Sequence, residues 1–226
     1  MFAANLQSIH ASFESLLGPS WHSRLTLVAV SKTVGPEAVR EAWNAGQRDF
    51  GENRVQELLR KQEALADLPI RWHFIGHLQT NKVRQVVGRV ELIHSVDSLR
   101  LAEALQQECL KRDTGCRILL EVKTTGEESK TGAGLAEARE LAVAVRSMDR
   151  LTLSGLMTMG PLEGGAEGAR CSFRALRVLH EELLANTAYR GSVLSMGMSG
   201  DYEVALEEGS TLVRIGTALF GSGTLA

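Results

Sequence analysis

A lysine stands where an apolar stretch meets a turn. In the sequence "LTLVAVSKTVGPEAVREAW" (25–43), Lys32 follows a β-rich run, and Gly35 and Pro36 begin a helical pattern shortly after it. A primary amine in such a place can attack an aldehyde when partial burial lowers its pKa and leaves it uncharged. A solvated turn lysine is the alternative, and the rest of the sequence has to decide between the two.

Two glycine-containing loops near the C-terminus have the composition of phosphate sites. "SMGMSGDYEVAL" places Ser199 and Gly200 before a helical pattern with Asp201 in its first turn, and "VRIGTALFG" places Gly216 and Thr217 after a strand pattern. Glycines let backbone N–H groups approach a ligand, and hydroxyls together with a helix N-terminus bind phosphate. Ordinary glycine turns with an N-cap serine explain either loop alone. The occurrence of both favours a phosphate site.

A lysine opposite a phosphate site indicates a Schiff base with a phosphorylated aldehyde. Pyridoxal 5′-phosphate supplies both the aldehyde and the phosphate, and the phosphosugar of an aldolase would satisfy the same two facts. Arg214 lies two residues before the second loop and could point inward at a pyridine nitrogen. An ion pair with a carboxylate inside the fold is its alternative. The residues alone leave both ligands open.

The elements that must position these residues alternate along the chain. Eight β-rich runs separated by helical patterns predict a parallel sheet, and eight repeats favour a closed (β/α)8 TIM barrel. An open doubly wound sheet is the alternative, but no GxGxxG follows the first strand. The predicted strands are Leu25–Val30, Arg48–Phe50, Arg71–Ile75, Leu92–Ser95, Arg117–Val122, Leu153–Met157, Ser192–Ser195 and Leu212–Ile215. The predicted helices between them are Pro36–Ala45, Arg54–Leu65, Thr80–Val87, Ser98–Lys111, Leu135–Met148, Glu167–Leu184 and Asp201–Glu208.

The polar residues that follow the predicted strands should meet on one face. In such barrels the loops after the strands carry the function. Besides Lys32 and the two glycine-containing loops, Asn53 follows the second strand, His77 the third and Lys123 the fifth, while Ser95 closes the fourth. We therefore expect one pocket at the C-terminal ends of the strands.

Composition limits the classes of protein that the chain can represent. With 226 residues and a net charge of −2, the sequence predicts one domain (1–226), with an amphipathic helix at 1–17 outside the barrel and a loop at 160–168. No basic stripe, no apolar run of about 18 residues and no signal peptide is evident, so we expect a cytoplasmic protein that binds neither nucleic acid nor membrane. The three cysteines and six histidines lack metal-ligand spacing, which predicts reduced thiols and no metal site. A monomer is the default expectation.

The motifs in order resemble those of a known family. From about Leu25 to Gly221 the chain is similar to the YggS/PROSC pyridoxal phosphate homeostasis proteins. The motifs that carry this resemblance are "VAVSKT", "FGENRVQE", "WHFIGHLQTNK", "HSVDS", "GLMTMGP", "LSMGMSGDYEVALEEGST" and "VRIGTALFG". The resemblance implies a barrel like the N-terminal domain of alanine racemase, of the fold type III class of pyridoxal-phosphate proteins. It also implies that the cofactor is held as an aldimine on Lys32.

The same resemblance implies the rest of the cofactor site. Asn53 would lie beside the cofactor, and Arg214 would face the pyridine nitrogen. The phosphate would be held by Ser199, Gly200, Gly216 and Thr217. The chain departs from the family pattern at Lys123, where asparagine is expected, and this adds a cation near the barrel mouth.

The resemblance favours a binding protein over an enzyme. An arginine at the pyridine nitrogen weakens the ring as an electron sink, and racemases of this fold offset that with a tyrosine from another domain. The positions of Tyr189 and Tyr202 do not suggest this role. We therefore expect a protein of vitamin B6 and amino-acid homeostasis that carries pyridoxal phosphate, with apo-enzymes as possible recipients. A single-domain racemase is the alternative, with His77 or Lys123 as its second acid/base.

Overall fold

The protein is a closed barrel of parallel strands. The computed structural model describes residues 1–125, 131–161 and 163–221. In these residues eight strands pair in chain order, and the last strand returns to the first. The strands are β1 (Thr26–Val30), β2 (Asp49–Glu52), β3 (Arg71–Phe74), β4 (Leu92–Val96), β5 (Cys116–Glu121), β6 (Leu151–Met157), β7 (Val193–Ser195) and β8 (Leu212–Ile215). The prediction of a (β/α)8 barrel is confirmed.

Helices surround the barrel and connect its strands. They are α1 (Phe2–Leu17), α2 (Pro36–Asn44), α3 (Val55–Ala64), α4 (Val83–Val86), α5 (Leu99–Lys111), α6 (Leu135–Val145), α7 (Gly165–Asn186), α8 (Tyr202–Glu207) and α9 (Thr217–Phe220). Short 3-10 helices cover Trp21–Ser23 and Thr80–Lys82. No helix in the described part of the chain is both long and apolar enough to cross a bilayer.

The first helix lies against the outside of the barrel. Its buried residues Phe2, Leu6, Ile9 and Phe13 repeat at helical spacing and form one apolar stripe. Asn5 donates a side-chain hydrogen bond to a backbone oxygen of α9 at 2.9 Å. The helix thereby covers the last helices of the barrel.

Several predicted boundaries are wrong. The stretch 160–168 is predicted as a loop, but α7 begins at Gly165, because glycines are tolerated in a first turn whose N–H groups have no intrahelical partner. The helix predicted at Thr80–Val87 divides into the short 3-10 turn and α4. The second strand extends two residues beyond its predicted end, to Glu52, and this places Asn53 directly at the barrel mouth.

The barrel interior is divided into an apolar part and a polar part. A small apolar cluster inside the barrel comprises Val28, Leu92, Leu119, Met157 and Leu212. The larger core lies between the strands and the surrounding helices. Buried polar side chains of β3, β4, β7 and β8 occupy the rest of the interior and lead toward the mouth.

Candidate functional site

One pocket at the C-terminal ends of the strands contains all the predicted cofactor residues. Its volume is about 380 Å³. The predicted residues that line it are Lys32, Asn53, Ser199, Gly200, Arg214, Gly216 and Thr217. Val30, Ile75, Met159 and Met198 supply apolar wall. This arrangement is typical of a small-molecule site, with an apolar body and few polar groups that converge on it.

A buried ion pair fixes the backbone directly before Lys32. The Lys61 ammonium, fully buried, donates to the backbone oxygen of Ser31 and to Oε1 of Glu52, both at 2.6 Å. The Ser31 hydroxyl donates to the same Glu52 oxygen at 2.7 Å. Burial raises the pKa of Glu52, and the ammonium of Lys61 opposes that shift. The three groups join β1, β2 and α3, and we refer to them as the Lys61 brace.

A close approach of two loops positions Asn53. A side chain at Gly76 would place its Cβ 2.1 Å from the backbone oxygen of Asn53. Only glycine allows the loop after β3 to lie this close to the loop after β2. Asn53 is therefore held at the edge of the pocket by its neighbouring loop.

The loop after β7 folds tightly onto the start of α8. Gly197 has φ of +97°, and a Cβ there would lie 2.6 Å from the Cβ of Ala205. Asp201 is the residue before α8, and its Oδ1 accepts the backbone N–H of Met198 at 2.6 Å. The backbone N–H of Ala218 donates to the Ser199 hydroxyl at 3.2 Å. The two glycine-containing loops thus meet, and Ser199 and Thr217 both line the same pocket.

Arg214 is a buried cation bound to uncharged oxygens. Its guanidinium donates to the backbone oxygen and hydroxyl of Ser195 at 2.8 and 2.6 Å, and to the backbone oxygen of Thr158 at 2.9 Å. Burial lowers its pKa to about 10, so the side chain stays charged at neutral pH. Among the described residues the other two of its five N–H groups have no hydrogen-bond acceptor. The guanidinium can therefore donate to a ligand in the pocket.

The sequence analysis missed a carboxylate in this pocket. Glu121, the last residue of β5, is buried in the wall, and the hydroxyl of Thr131 donates to its Oε1 at 2.5 Å. Burial raises the pKa of Glu121. A charged residue at the inner end of an apolar strand pattern is the signal that could have identified it.

The chain matches one family over nearly its full length. Residues 5–223 match the model of the alanine racemase N-terminal domain. The pyridoxal phosphate homeostasis protein of Aquifex aeolicus is 48% identical over 195 residues, with 86% of each chain covered. That of Pseudomonas aeruginosa is 45% identical, over 87% of this chain and 84% of the relative. The chain belongs to the pyridoxal phosphate homeostasis protein family.

Solved structures agree with this assignment. PipY of Synechococcus elongatus, solved with pyridoxal phosphate bound, is 38% identical, with 98% of this chain and 100% of PipY covered at a TM-score of 0.89. The alanine racemase of Clostridium difficile has a TM-score of 0.79 at 11% identity and shares the fold. The match covers 96% of this chain and 56% of that racemase.

The other residues that the sequence analysis considered lie at the edge of the pocket or away from it. His77 lines the pocket but is largely exposed, and its Nδ1 lies 3.6 Å from a carboxylate oxygen of Asp97. Lys123 lines a small adjacent cleft instead. Ser95 was expected to close β4 at the mouth, but the strand continues to Val96 and Ser95 is buried within it.

Neither tyrosine lies at the pocket. The Tyr189 hydroxyl is within 2.9 Å of Nδ1 of His180, in a buried pair, and burial raises the pKa of this tyrosine. The Tyr202 hydroxyl donates to the Ser12 hydroxyl at 3.2 Å, between α8 and α1. Both side chains serve packing.

Proposed function

We propose that the pocket holds pyridoxal 5′-phosphate on Lys32 and that the protein stores this cofactor and transfers it to apo-enzymes. The observation that carries the proposal is the meeting of Lys32, the buried Arg214 and two hydroxyl-bearing loops in one pocket. PipY, which is similar over its whole length, has been solved with pyridoxal phosphate bound. The curated relatives are named homeostasis proteins.

The residues present fit the chemical groups of this cofactor. The Ser199 and Thr217 hydroxyls and the amides of their loops suit a phosphate. Arg214 has N–H groups to donate, and its hydrogen-bond acceptors among the described residues include no carboxylate, which suits an uncharged pyridine nitrogen. Asn53 also lines the pocket and can bond a ring substituent.

The covalent link would form at the Nζ of Lys32. The uncharged amine adds to the aldehyde carbon, a C=N bond forms, and water leaves, so that the product is an internal aldimine. The bond can be exchanged with another amine without any proton being removed from carbon. Such exchange is what a carrier needs.

Borohydride reduction tests the position of this link. The purified protein, loaded with pyridoxal phosphate, should absorb at the violet edge of the visible spectrum and lose that band on reduction. Peptide mapping of the reduced protein should place the label on Lys32. Lys123 is the internal comparison, since it lines the cleft adjacent to the pocket. A label on another lysine with Lys32 unmodified would contradict the proposal.

The cellular role follows as part of the same proposal. We propose that the protein acts in the cytoplasm as a monomer, affects vitamin B6 and amino-acid balance, and does not itself transform amino acids efficiently. A single-domain racemase is the alternative activity. Assays of cofactor transfer to an apo-enzyme and of deuterium exchange at Cα of amino acids separate the two.

A further inference from the structure

A chain of hydrogen bonds crosses the barrel interior behind Arg214. Its guanidinium donates to the Ser195 hydroxyl, which lies 3.0 Å from Nδ1 of His94. Nε2 of His94 lies 3.0 Å from Nδ1 of His73, and Nε2 of His73 lies 3.1 Å from Oδ1 of Asp49. β4 and β7 are not neighbours in the barrel, so the contact between His94 and Ser195 spans its interior.

The chain of hydrogen bonds ends, at the side away from Arg214, in an ion pair at the face of the barrel opposite the pocket. Asp49 is the first residue of β2, and both its carboxylate oxygens accept hydrogen bonds from Arg71, at 2.8 and 2.5 Å. Burial acts to raise the pKa of Asp49, but hydrogen bonds with His73 and Arg71 outweigh it and lower that pKa. With His73, the pair lines a cavity of about 200 Å³ at the floor of the barrel. The chain therefore joins the floor to the cofactor pocket.

With both histidine rings uncharged, the carboxylate at the floor fixes the direction of every donor in the chain. An ionised Asp49 only accepts, so Nε2 of a neutral His73 must carry its hydrogen, and Nδ1 of His73 is then an acceptor. His94 consequently donates from Nε2 and accepts at Nδ1. The Ser195 hydroxyl must give its hydrogen to His94, which leaves its lone pairs for Arg214.

The opposite direction would leave two acceptors facing each other. If neutral His94 carried its hydrogen on Nδ1, neutral His73 would have to donate from Nδ1 and would present a bare Nε2 to the Asp49 carboxylate. His94 is completely buried, and its burial, together with the nearby charge of Arg214, holds its pKa well below the usual range. A neutral His94 that donates toward the floor satisfies every group in the chain.

We propose that His94, set by His73 and Asp49, is the positioning residue that aims Arg214 at the ring nitrogen of the bound cofactor. His94 keeps the Ser195 hydroxyl turned so that it accepts from the guanidinium, and the floor ion pair keeps His94 in the required tautomer. The part of this inference that concerns the ring rests on the proposed function. The tautomers concern the cofactor-free protein and stand independently of it.

The first test uses the cofactor-free protein. Two-dimensional nitrogen–proton spectra of ¹⁵N-histidine-labelled protein at neutral pH distinguish the two neutral tautomers and the charged ring. His73→Gln and His94→Gln assign the two rings, because each removes one set of signals. Both rings should be neutral with the hydrogen on Nε2. A hydrogen on Nδ1 of His94, or a doubly protonated His73, would overturn the proposal.

The second test follows the ring nitrogen of bound, ¹⁵N-labelled pyridoxal phosphate. In the wild type its chemical shift should be that of an unprotonated nitrogen. In His94→Leu it should move toward the protonated value, and cofactor affinity should fall about tenfold, the size of one hydrogen bond to a charged group. Glutamine at this position can accept from Ser195 and donate to His73. The variant His94→Gln should therefore recover much of the wild-type chemical shift of the ring nitrogen and much of the cofactor affinity.

His180→Leu is the matched control. His180 is also buried and bonded to one hydroxyl, that of Tyr189, but it lies away from the pocket. The substitution His180→Leu should lower the unfolding temperature without changing the chemical shift of the cofactor's ring nitrogen. If His94→Leu lowers stability alone and leaves the ring signal unchanged, the positioning role is wrong. A wild type that does not bind the cofactor would instead contradict the proposed function.

Discussion

At the scale of single residues, the site depends on polar groups whose partners have no charge. Arg214 donates to two carbonyl oxygens and a hydroxyl. Ser199 accepts only a backbone N–H among the described residues. Groups held in this way keep hydrogen-bonding capacity for a ligand. A carboxylate bonded to Arg214, or an arginine bonded to Ser199, would have used this capacity within the protein.

The two hydroxyls assigned to the phosphate give a direct prediction. A hydrogen bond to a charged group contributes about 1.5–3 kcal/mol, so the double variant Ser199→Ala/Thr217→Ala should bind pyridoxal phosphate at least tenfold more weakly. Fluorescence or absorbance titration of the cofactor-free protein measures this. Ser12→Ala is a suitable control, because Ser12 lies on α1 and contacts Tyr202 instead. An unchanged affinity in a folded double variant would rule out the assignment.

The sequence could predict the residues at strand ends and could not predict those that meet across the barrel. Lys32, Asn53 and Arg214 lie together because the parallel topology brings every strand end to one face. The sequence gives no sign that His73 and His94 are partners, because the pairing of β3 with β4 and the closure of the barrel bring them into line with Ser195. Glu121 was missed for a related reason, because its inward direction depends on where β5 ends.

At the scale of secondary-structure elements, the wrongly predicted boundaries are those that local composition cannot determine. β2 is predicted to end at Phe50, yet Gly51 and Glu52 continue it because they pair with His73 and Phe74 of β3. Glycine and glutamate have low strand propensity, and the neighbouring strand overrides it. The consequence is functional, since the extra residues bring Glu52 to Lys61 and Asn53 to the mouth.

The Lys61 brace yields a prediction at this scale. Lys61 lies within the stretch "NRVQELLRKQEAL" (53–65), and in the structure its side chain is fully buried in α3 against β1 and β2. Lys61→Met leaves the Glu52 carboxylate buried without its cation, which should cost about 3–5 kcal/mol of unfolding free energy. Adding Glu52→Gln should recover part of that loss, because the amide can donate to the Ser31 oxygen. Urea unfolding of the cofactor-free protein measures both.

The exposed pair Arg40–Asp67 is the control for this experiment. Its two side chains are 41% and 61% exposed, so Arg40→Met should change stability far less than Lys61→Met. Lys61→Met should also weaken cofactor binding, because Ser31 directly precedes Lys32. Equal effects of the two substitutions on stability, with unchanged cofactor binding, would show that the brace does not hold the site.

At the scale of the whole molecule, the alternation of strands and helices was sufficient to predict the barrel. Buried parallel strands give continuous apolar runs such as "LTLVAV", and eight of them fit a closed sheet. The contents of the interior could not be predicted in this way. The interior holds a polar path from floor to mouth beside a small apolar cluster, and this path depends on the closure of the barrel as a whole.

The complete site should bind its cofactor without efficient amino-acid chemistry. Of the described residues that line the pocket, His77 and Glu121 are the acid/base groups besides Lys32. His77 is largely exposed beside Asp97. Glu121 is buried in the wall, its Oε1 accepts a hydrogen bond from the Thr131 hydroxyl, and burial raises its pKa. General acid–base assistance contributes roughly 10²–10⁴-fold to a rate, so without a well-placed second base turnover should be feeble.

Deuterium exchange at Cα, measured for a panel of L- and D-amino acids, tests this expectation beside transfer of cofactor to an apo-enzyme. We expect negligible exchange and measurable transfer, because transfer needs only exchange of the amine at the Lys32 link. Arg214 lowers the exchange further if it faces the pyridine nitrogen, since an unprotonated ring stabilises a carbanion weakly. Rapid exchange or racemisation that disappears in Glu121→Gln or His77→Ala would instead identify an enzyme. Lys123→Met should leave both assays unchanged, because its side chain lies in the adjacent cleft.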